Sequence, residues 1–352
     1  MVKITINDTV AKLKEKSKAK NTQDKYEGDW LKFTNYCQNK YLCNPLDVDD
    51  LESAYALTAN YMDWLHEDPE AKVFKGSSNI PGREKLNNNP YSSSPYKAST
   101  IQRILASITY KYRLNGFQFD RKNPNIAETI SAIVRDEKNN KSGQAKELLK
   151  ADIINIIDKI PNDEEDYSNI RDKALILIGF YSFCRRSELL GMQFEHLNFG
   201  NDGVQVLIPF SKTDQTGEGR MILLPATNDD YCPVRALKHW LEIAMIEKGP
   251  LFYKINKSNT IEKYTMNYKN QKVSLNDSSF VLILKKRALA AGLENCDKIS
   301  GHSLRIGSIT QARMNGVPTY EIMAQSGHKT TQMIDRYTKL SNIKETSAAK
   351  KI

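Results

Sequence analysis

"YSFCRRSELLGM", residues 181–192, sets two arginines and a glutamate into what otherwise reads as an apolar helix. A charge removed from water is costly unless something pairs with it. Arg185, Arg186 and Glu188 therefore mark either a helix edge with ordinary surface charge or a place where arginines face an anion. The stretch alone leaves both readings open. The decision falls to the rest of the chain.

The chain has 352 residues, a length that favours two domains over one, and 40% of them are apolar. Lysine and arginine outnumber aspartate and glutamate by 51 to 42, a net charge of +9. The excess is spread over both halves, with +5 on residues 1–150 and +4 on the remainder. That suits a protein that grips a polyanion along its length, with nucleic acid first in line, although a merely basic enzyme would share it. The five cysteines, Cys37, Cys43, Cys184, Cys232 and Cys296, are odd in number and none is at zinc-ligand spacing. They read as reduced thiols of an intracellular protein, and neither a signal peptide nor a long apolar run points to secretion or a membrane. No internal repeat is visible.

Residues 1–20 carry Lys12, Lys14, Lys16, Lys18 and Lys20 and read as a basic, flexible arm. From Thr22 the pattern turns helical, with Tyr26, Trp30, Phe33 and Cys37 on one face. A second helix is predicted from Asp50 to about His66, then a long loop at 68–96 rich in Pro, Gly, Asn and Ser. A third helix follows a Ser99 cap, with Ile101, Ile104, Leu105, Ile108 and Tyr112 on its apolar face, and a fourth covers about 124–137. Residues 21–138 are thus expected to form an all-helical domain, with a polar linker at 139–148.

Beyond the linker the texture changes. Helices are predicted near 150–160 and 169–192. "GVQVLIPF" (203–210) and "GRMILLP" (219–225) are β-type runs flanking a polar turn, a hairpin. Pro233 opens a helix through Trp240, Asn276–Asp277 caps another that Gly292 ends, and helices follow at 302–315, 318–326 and 330–340. The fold class is mainly α in two domains: an all-helical domain, and a mixed α/β domain at 149–340 with a small antiparallel sheet.

Three clusters carry the chemistry. They are the opening stretch, "SGHSLRIGS" (300–308) and "SGHKTTQMIDRYTK" (326–339). Taken singly each has an ordinary structural reading: a His-x-x-Arg pair is usually a surface pair, and a tyrosine on an amphipathic helix is usually core. Their order is more specific. Arg-x-x-Glu, a lysine in a β-hairpin, His-x-x-Arg, Gly-His and a late tyrosine together resemble the catalytic domain of the tyrosine recombinases, the phage integrase family. The first domain adds to the likeness, since "NTQDKYEGDWLKFTNYC" and "STIQRILASITYKYRLNGF" resemble the core-binding helices of Cre-like members.

The resemblance implies roles for single residues. Arg185 stands as the first catalytic arginine and Glu188 as its acidic partner, with Arg186 at a variable position. Lys212 is the hairpin lysine, His302 and Arg305 fill the His-x-x-Arg box, His328 takes the second histidine's position, and Tyr337 is the nucleophile. The residue types suit the task. A phosphodiester repels nucleophiles, and its transition state gathers further charge on the non-bridging oxygens. Two guanidinium groups can fork onto that charge without any metal. Tyr337 would then form a 3′-phosphotyrosine with no metal, cofactor or ATP, Lys212 would protonate the 5′-oxygen, His302 would act as base or relay, and His328 would donate to a non-bridging oxygen.

Binding would be more diffuse. Lys97, Ser99, Gln102, Arg103 and Lys111 on the third helix, and Ser278, Ser279 and Lys285 on the helix after Asn276, are candidate DNA contacts, with solvated helix faces as the alternative. The implied partners are double-stranded DNA bearing short inverted repeats and three further copies of the chain in a homotetramer, with no membrane. No extra N-terminal arm-binding domain is expected, and residues 341–352 form either a segment that docks on a neighbouring copy or a frayed end. The compartment would be cytoplasm or nucleoid in a bacterial or phage setting, and nucleus or viral factory in a eukaryotic or viral one. Two other classes remain open: a type IB topoisomerase-like nicking and resealing enzyme, and a non-catalytic DNA-binding regulator.

Overall fold

The computed structural model describes residues 20–68, 71, 96–139, 145–209, 219–263 and 274–335. The arm at 1–19, most of the loop at 68–96, the hairpin turn with Lys212, and Tyr337 with the tail lie outside the described residues. The chain divides into two compact units, Met1–Ser142 and Gly143–Ile352. It is mostly helical, and among the described residues no helix is long and apolar enough to cross a membrane.

The first unit is built from α1 (Lys20–Tyr41), α2 (Leu51–Glu67), α3 (Ala98–Leu114) and α4 (Pro124–Asn139). Helix α1 packs on α3, and α2 on α4. The core is aromatic. Phe33, Tyr61, Tyr112 and Phe119 are fully buried, and the rings of Tyr112 and Phe119 stack with centroids 4.8 Å apart. Such rings bring a large apolar area in few residues, enough to hold four short helices. Asp50 caps α2 by accepting from Ser53 N–H.

Helix α3 departs from expectation at its start. Lys97, not Ser99, holds the cap position, and no side chain of the first turn caps it. The acceptor comes from elsewhere: the Glu137 carboxylate on α4 takes Ala98 N–H at 2.9 Å. A carboxylate at a helix N-terminus satisfies an orphan donor and suits the helix dipole, so a distant residue does the work expected of Ser99.

The second unit runs α5 (Lys150–Asp158), α6 (Tyr167–Tyr181), α7 (Arg186–Leu190), β1 (Leu197–Phe199), β2 (Gly203–Ile208), β3 (Arg220–Pro225), α8 (Pro233–Ile243), α9 (Asp277–Ala290), α10 (Ser303–Met314) and α11 (Thr319–Ser326). Residues 331–335 are helical again. The strands form one antiparallel sheet in the order β1-β2-β3, with Val204 opposite Leu224 and Val206 opposite Ile222. Strand β1 was not expected, being three residues long and mostly exposed.

Helix α6 is the central rod. Nearly all its residues from Asn169 onward are buried, and it packs on α8 and α10. Trp240 on α8 is fully buried and donates its indole N–H to the Leu251 carbonyl at 2.7 Å. Gly307 on α10 is required by a strap: a Cβ there would lie 1.7 Å from the Leu148 carbonyl oxygen, whose residue also bonds back to Ser303. That contact lays the start of the unit along α10.

The expected helix over 169–192 is two helices. The chain leaves helical geometry at 182–185, where Phe183 takes a left-handed conformation with φ of +56°. Phenylalanine adopts that conformation only when its surroundings impose it. The break falls inside the stretch that carries Arg185 and Glu188.

Candidate active site

The break at Phe183 places Arg185 at the head of α7 instead of on the flank of a long helix. The Glu188 carboxylate reaches back one turn and takes two bonds from Arg185, from its backbone N–H at 2.9 Å and its Nη1 at 2.8 Å. A glutamate at this third position commonly closes a helix start in this way. Here it also orients a guanidinium. Glu188 is 6% exposed. Burial pushes its carboxyl upward, but the bonds from Arg220 and Arg185 outweigh that and hold it below the usual carboxylate range.

The distorted Phe183 has a second consequence. Its carbonyl accepts from Arg305 Nη1 at 2.6 Å. Arg305 sits in the first turn of α10 and is 3% exposed. Its Nη2 lies 3.0 Å from His328 Nε2 and 3.3 Å from Nδ1. Guanidinium can only donate, so the near ring nitrogen accepts. His328 follows the left-handed Gly327 that ends α11, and its Nδ1 lies 2.8 Å from Ser326 Oγ. Burial first, and then the charges of Arg305, Arg185 and Arg220, push the imidazole down to about 4. His328 is therefore neutral near pH 7, and in this arrangement its near ring nitrogen accepts from Arg305.

Three arginines thus surround one neutral histidine and one carboxylate. The third, Arg220, was not foreseen. It opens β3 and donates from Nη2 to Glu188 Oε2 at 2.9 Å. The signal was present in "GRMILLP": strand alternation puts Arg220 in phase with Ile222 and Leu224, both buried, so its side chain had to point inward.

The remaining expected residues are placed as follows. His302 is exposed at the cap of α10, three residues before Arg305. Lys212 and Tyr337 lie outside the described residues. Arg186, at the expected variable position, turns away to pair with Asp277 at 2.6 Å and lies over Gly301. On α3, Lys97, Ser99 and Gln102 are exposed, while Arg103 pairs with Asp29 and Lys111 with Glu27. On α9, Ser278 is exposed, Ser279 gives its backbone N–H to the Asn276 cap, and Lys285 donates to the Asp297 carbonyl at 2.8 Å.

Among the described residues, Arg185, Arg220 and Arg305 bring three guanidinium groups together at a helix break with one carboxylate between them, an excess of positive charge of the kind that suits an anion. Comparison with known proteins is specific. Residues 146–343 match the phage integrase family model. The chain is 33% identical over 334 residues to an integrase/recombinase XerD homolog of Selenomonas ruminantium, covering 94% of this chain and 84% of that one. The fold is shared with the XerH site-specific recombinase, solved as a post-cleavage complex with its palindromic difH substrate, at 15% identity and a TM-score of 0.58 over 97% of this chain and 82% of that one. It is shared also with the Tn1549 transposon integrase, solved with transposon right end DNA, at 13% identity and a TM-score of 0.52 over 93% and 92%. This chain belongs to the phage integrase family, the tyrosine recombinases.

Proposed function

We propose that this tyrosine recombinase cuts and rejoins duplex DNA at specific sites through a 3′-phosphotyrosine, with neither metal nor ATP. The observation that carries the reading is the gathering of Arg185, Arg305 and His328 at the Phe183 break, a concentration of positive charge suited to one phosphodiester. In the proposed step the Tyr337 oxygen attacks phosphorus. The bond from phosphorus to the 5′-oxygen breaks, and the energy of the lost bond is kept in the new ester. His302 accepts or relays the tyrosine proton, and Lys212 delivers a proton to the leaving 5′-oxygen. Arg185 and Arg305 bind the non-bridging oxygens. Once a phosphate oxygen draws Arg305 off Nε2, His328 takes the other neutral tautomer, with Ser326 Oγ donating to Nδ1 and the ring proton on Nε2, and donates from Nε2 to that oxygen.

The first unit serves as the core-binding domain, and residues 149–340 as the catalytic domain. Together they bind duplex DNA carrying short inverted repeats, and four copies assemble on two such duplexes. The tail at 341–352 docks on a neighbouring copy. The test selects its own target. The full chain is incubated with a pool of nicked random-sequence duplexes, and adducts that survive denaturation are recovered and sequenced. Wild type is expected to select a defined site, and Tyr337→Phe to bind it without forming an adduct. An adduct in the Phe variant would exclude Tyr337 as the nucleophile. Exchange of strands between two recovered duplexes then separates a recombinase from a topoisomerase.

A further inference from the structure

We propose that Arg220 is a positioning residue of this site, acting through Glu188 to hold Arg185 on the anion while supplying a third positive charge beside it. The inference rests on the phosphotyrosine reading above.

Three observations carry it. Glu188 is gripped from both sides: Oε1 takes Arg185 Nη1 at 2.8 Å, and Oε2 takes both Arg185 N–H and Arg220 Nη2 at 2.9 Å. The Arg220 side chain is only 16% exposed, and the backbone makes room for it. A Cβ on Gly327 would come within 2.8 Å of Arg220 Nη1 and 3.0 Å of Cζ, so the residue before His328 must be glycine for the guanidinium to lie there. Gly327 also has a φ of +69°, so two demands meet at one position. Finally, Arg220 Nε is buried and meets no acceptor among the described residues. A buried donor without an acceptor is costly, and sites that receive a ligand are where such groups are retained.

The charge balance points the same way. Arg185, Arg220 and Arg305 carry three positive charges, Glu188 one negative charge and His328 none. The described part of the site therefore holds an excess of two. A phosphodiester has one negative charge and gains a second as an anionic tyrosine oxygen adds. With Arg220 the excess matches the transition state; without it, the match is to the ground state alone. Loss of Arg220 would also leave Oε2 of a buried carboxylate with one donor fewer. Glu188 would then drift toward its neutral form and loosen its hold on Arg185.

The test uses the full chain with Arg220→Gln and Arg220→Lys, on the duplex recovered by adduct selection. That duplex is made with either an ordinary scissile phosphate or an uncharged methylphosphonate. Arg220→Gln is expected to slow covalent attachment about 10²-fold at unchanged DNA affinity. Arg220→Lys should recover about tenfold of that, since it returns the charge without the fork. On the methylphosphonate the Gln deficit should shrink to less than about tenfold, because its phosphoryl group carries one negative charge fewer in the transition state, which the two remaining arginines already balance. An equal deficit on both substrates, or none on either, overturns the proposal. A second readout needs no DNA: the His328 ring titration followed by NMR. Its midpoint, about 4 in the wild type, should rise in Arg220→Gln and stay nearly in place in Arg220→Lys. An unmoved midpoint in folded Arg220→Gln overturns the charge assignment, and should that variant not fold, Arg220→Lys carries the kinetic test. If wild type itself forms no adduct, the phosphotyrosine reading has failed, and the titration still decides whether Arg220 acts on this cluster.

Discussion

The cations of α3 and those of the candidate active site are treated in opposite ways. On α3, Arg103 is matched by Asp29 of α1 and Lys111 by Glu27, and Ser107 adds a further bond to Asp29. In the site, Arg185 and Arg220 share the single carboxylate of Glu188, and Arg305 adds a third positive charge, bonded to the Phe183 carbonyl and His328. The first arrangement is neutral: Arg103 and Glu27 reach water while Asp29 is buried and its charge is met by Arg103 and Ser107. The second keeps an excess of positive charge in a place where water screens it poorly. Matched charge ties α3 to α1, whereas the unmatched charge of the arginine cluster is available to an anion, as the proposed reaction requires.

A third group shows that burial alone does not make an arginine reactive. Asp172 on α6 accepts from Arg171 at 2.7 Å and from Arg287 on α9 at 2.8 Å. Arg287 also donates to Asn169, and Arg171 to the Tyr253 carbonyl. Both guanidinium groups are held by acceptors within the protein, and the group ties α6 to α9. By contrast, one arm of Arg305 lies on a histidine that a phosphate oxygen can displace.

The largest effect expected from this contrast is in the site. Arg305→Gln should lower the rate of covalent attachment by about 10³-fold while DNA affinity changes little. Single-turnover attachment measured beside a melting curve checks it, and a rate near that of wild type would place Arg305 outside the chemistry. Next comes the structural triad. Asp172→Asn strands two buried arginines and should destabilise the second unit by about 3–5 kcal/mol, read by denaturant unfolding. The attachment rate of the fraction still folded should be unchanged, and a specific loss of rate would join the triad to the site.

His328 gives a pH signature of smaller size. Its folded value of about 4 lies below the ordinary 6.5, so between the two the unfolded chain binds the extra proton. Stability should be at its full value above about pH 6.5 and should fall by up to about 3 kcal/mol as the pH drops to about 4. His328→Gln should flatten that part of the profile, and an equally steep fall in the variant would assign the acid sensitivity to another group. The smallest effect belongs to α3. Asp29→Asn should change stability by only about 1 kcal/mol. If α3 faces DNA, freeing Arg103 should also steepen the salt dependence of binding by about one phosphate contact. An unaltered salt slope would leave Arg103 as an internal tie.

Much of the molecule was legible in the order of its residues. Periodicity located the helices of both units, "GVQVLIPF" and "GRMILLP" announced the paired strands, and Asn276 and Gly292 bounded α9, because each of these depends on neighbours within a few residues. The order of Arg185, Glu188, Lys212, His302, Arg305, His328 and Tyr337 carried the family resemblance. What sequence did not disclose depends on groups far apart in the chain. Glu137 caps α3 from another helix. The apolar run at 181–192 looked continuous, yet it breaks at Phe183, whose carbonyl meets Arg305 more than a hundred residues away. Arg220 was visible as an inward-pointing strand residue, but its purpose was not, because Glu188 and the space above Gly327 lie beside it only after folding. Local pattern determines which residues form helices and strands. Where a buried charge finds its partner is decided by the packing of distant elements, since only there does the loss of water make the partner necessary.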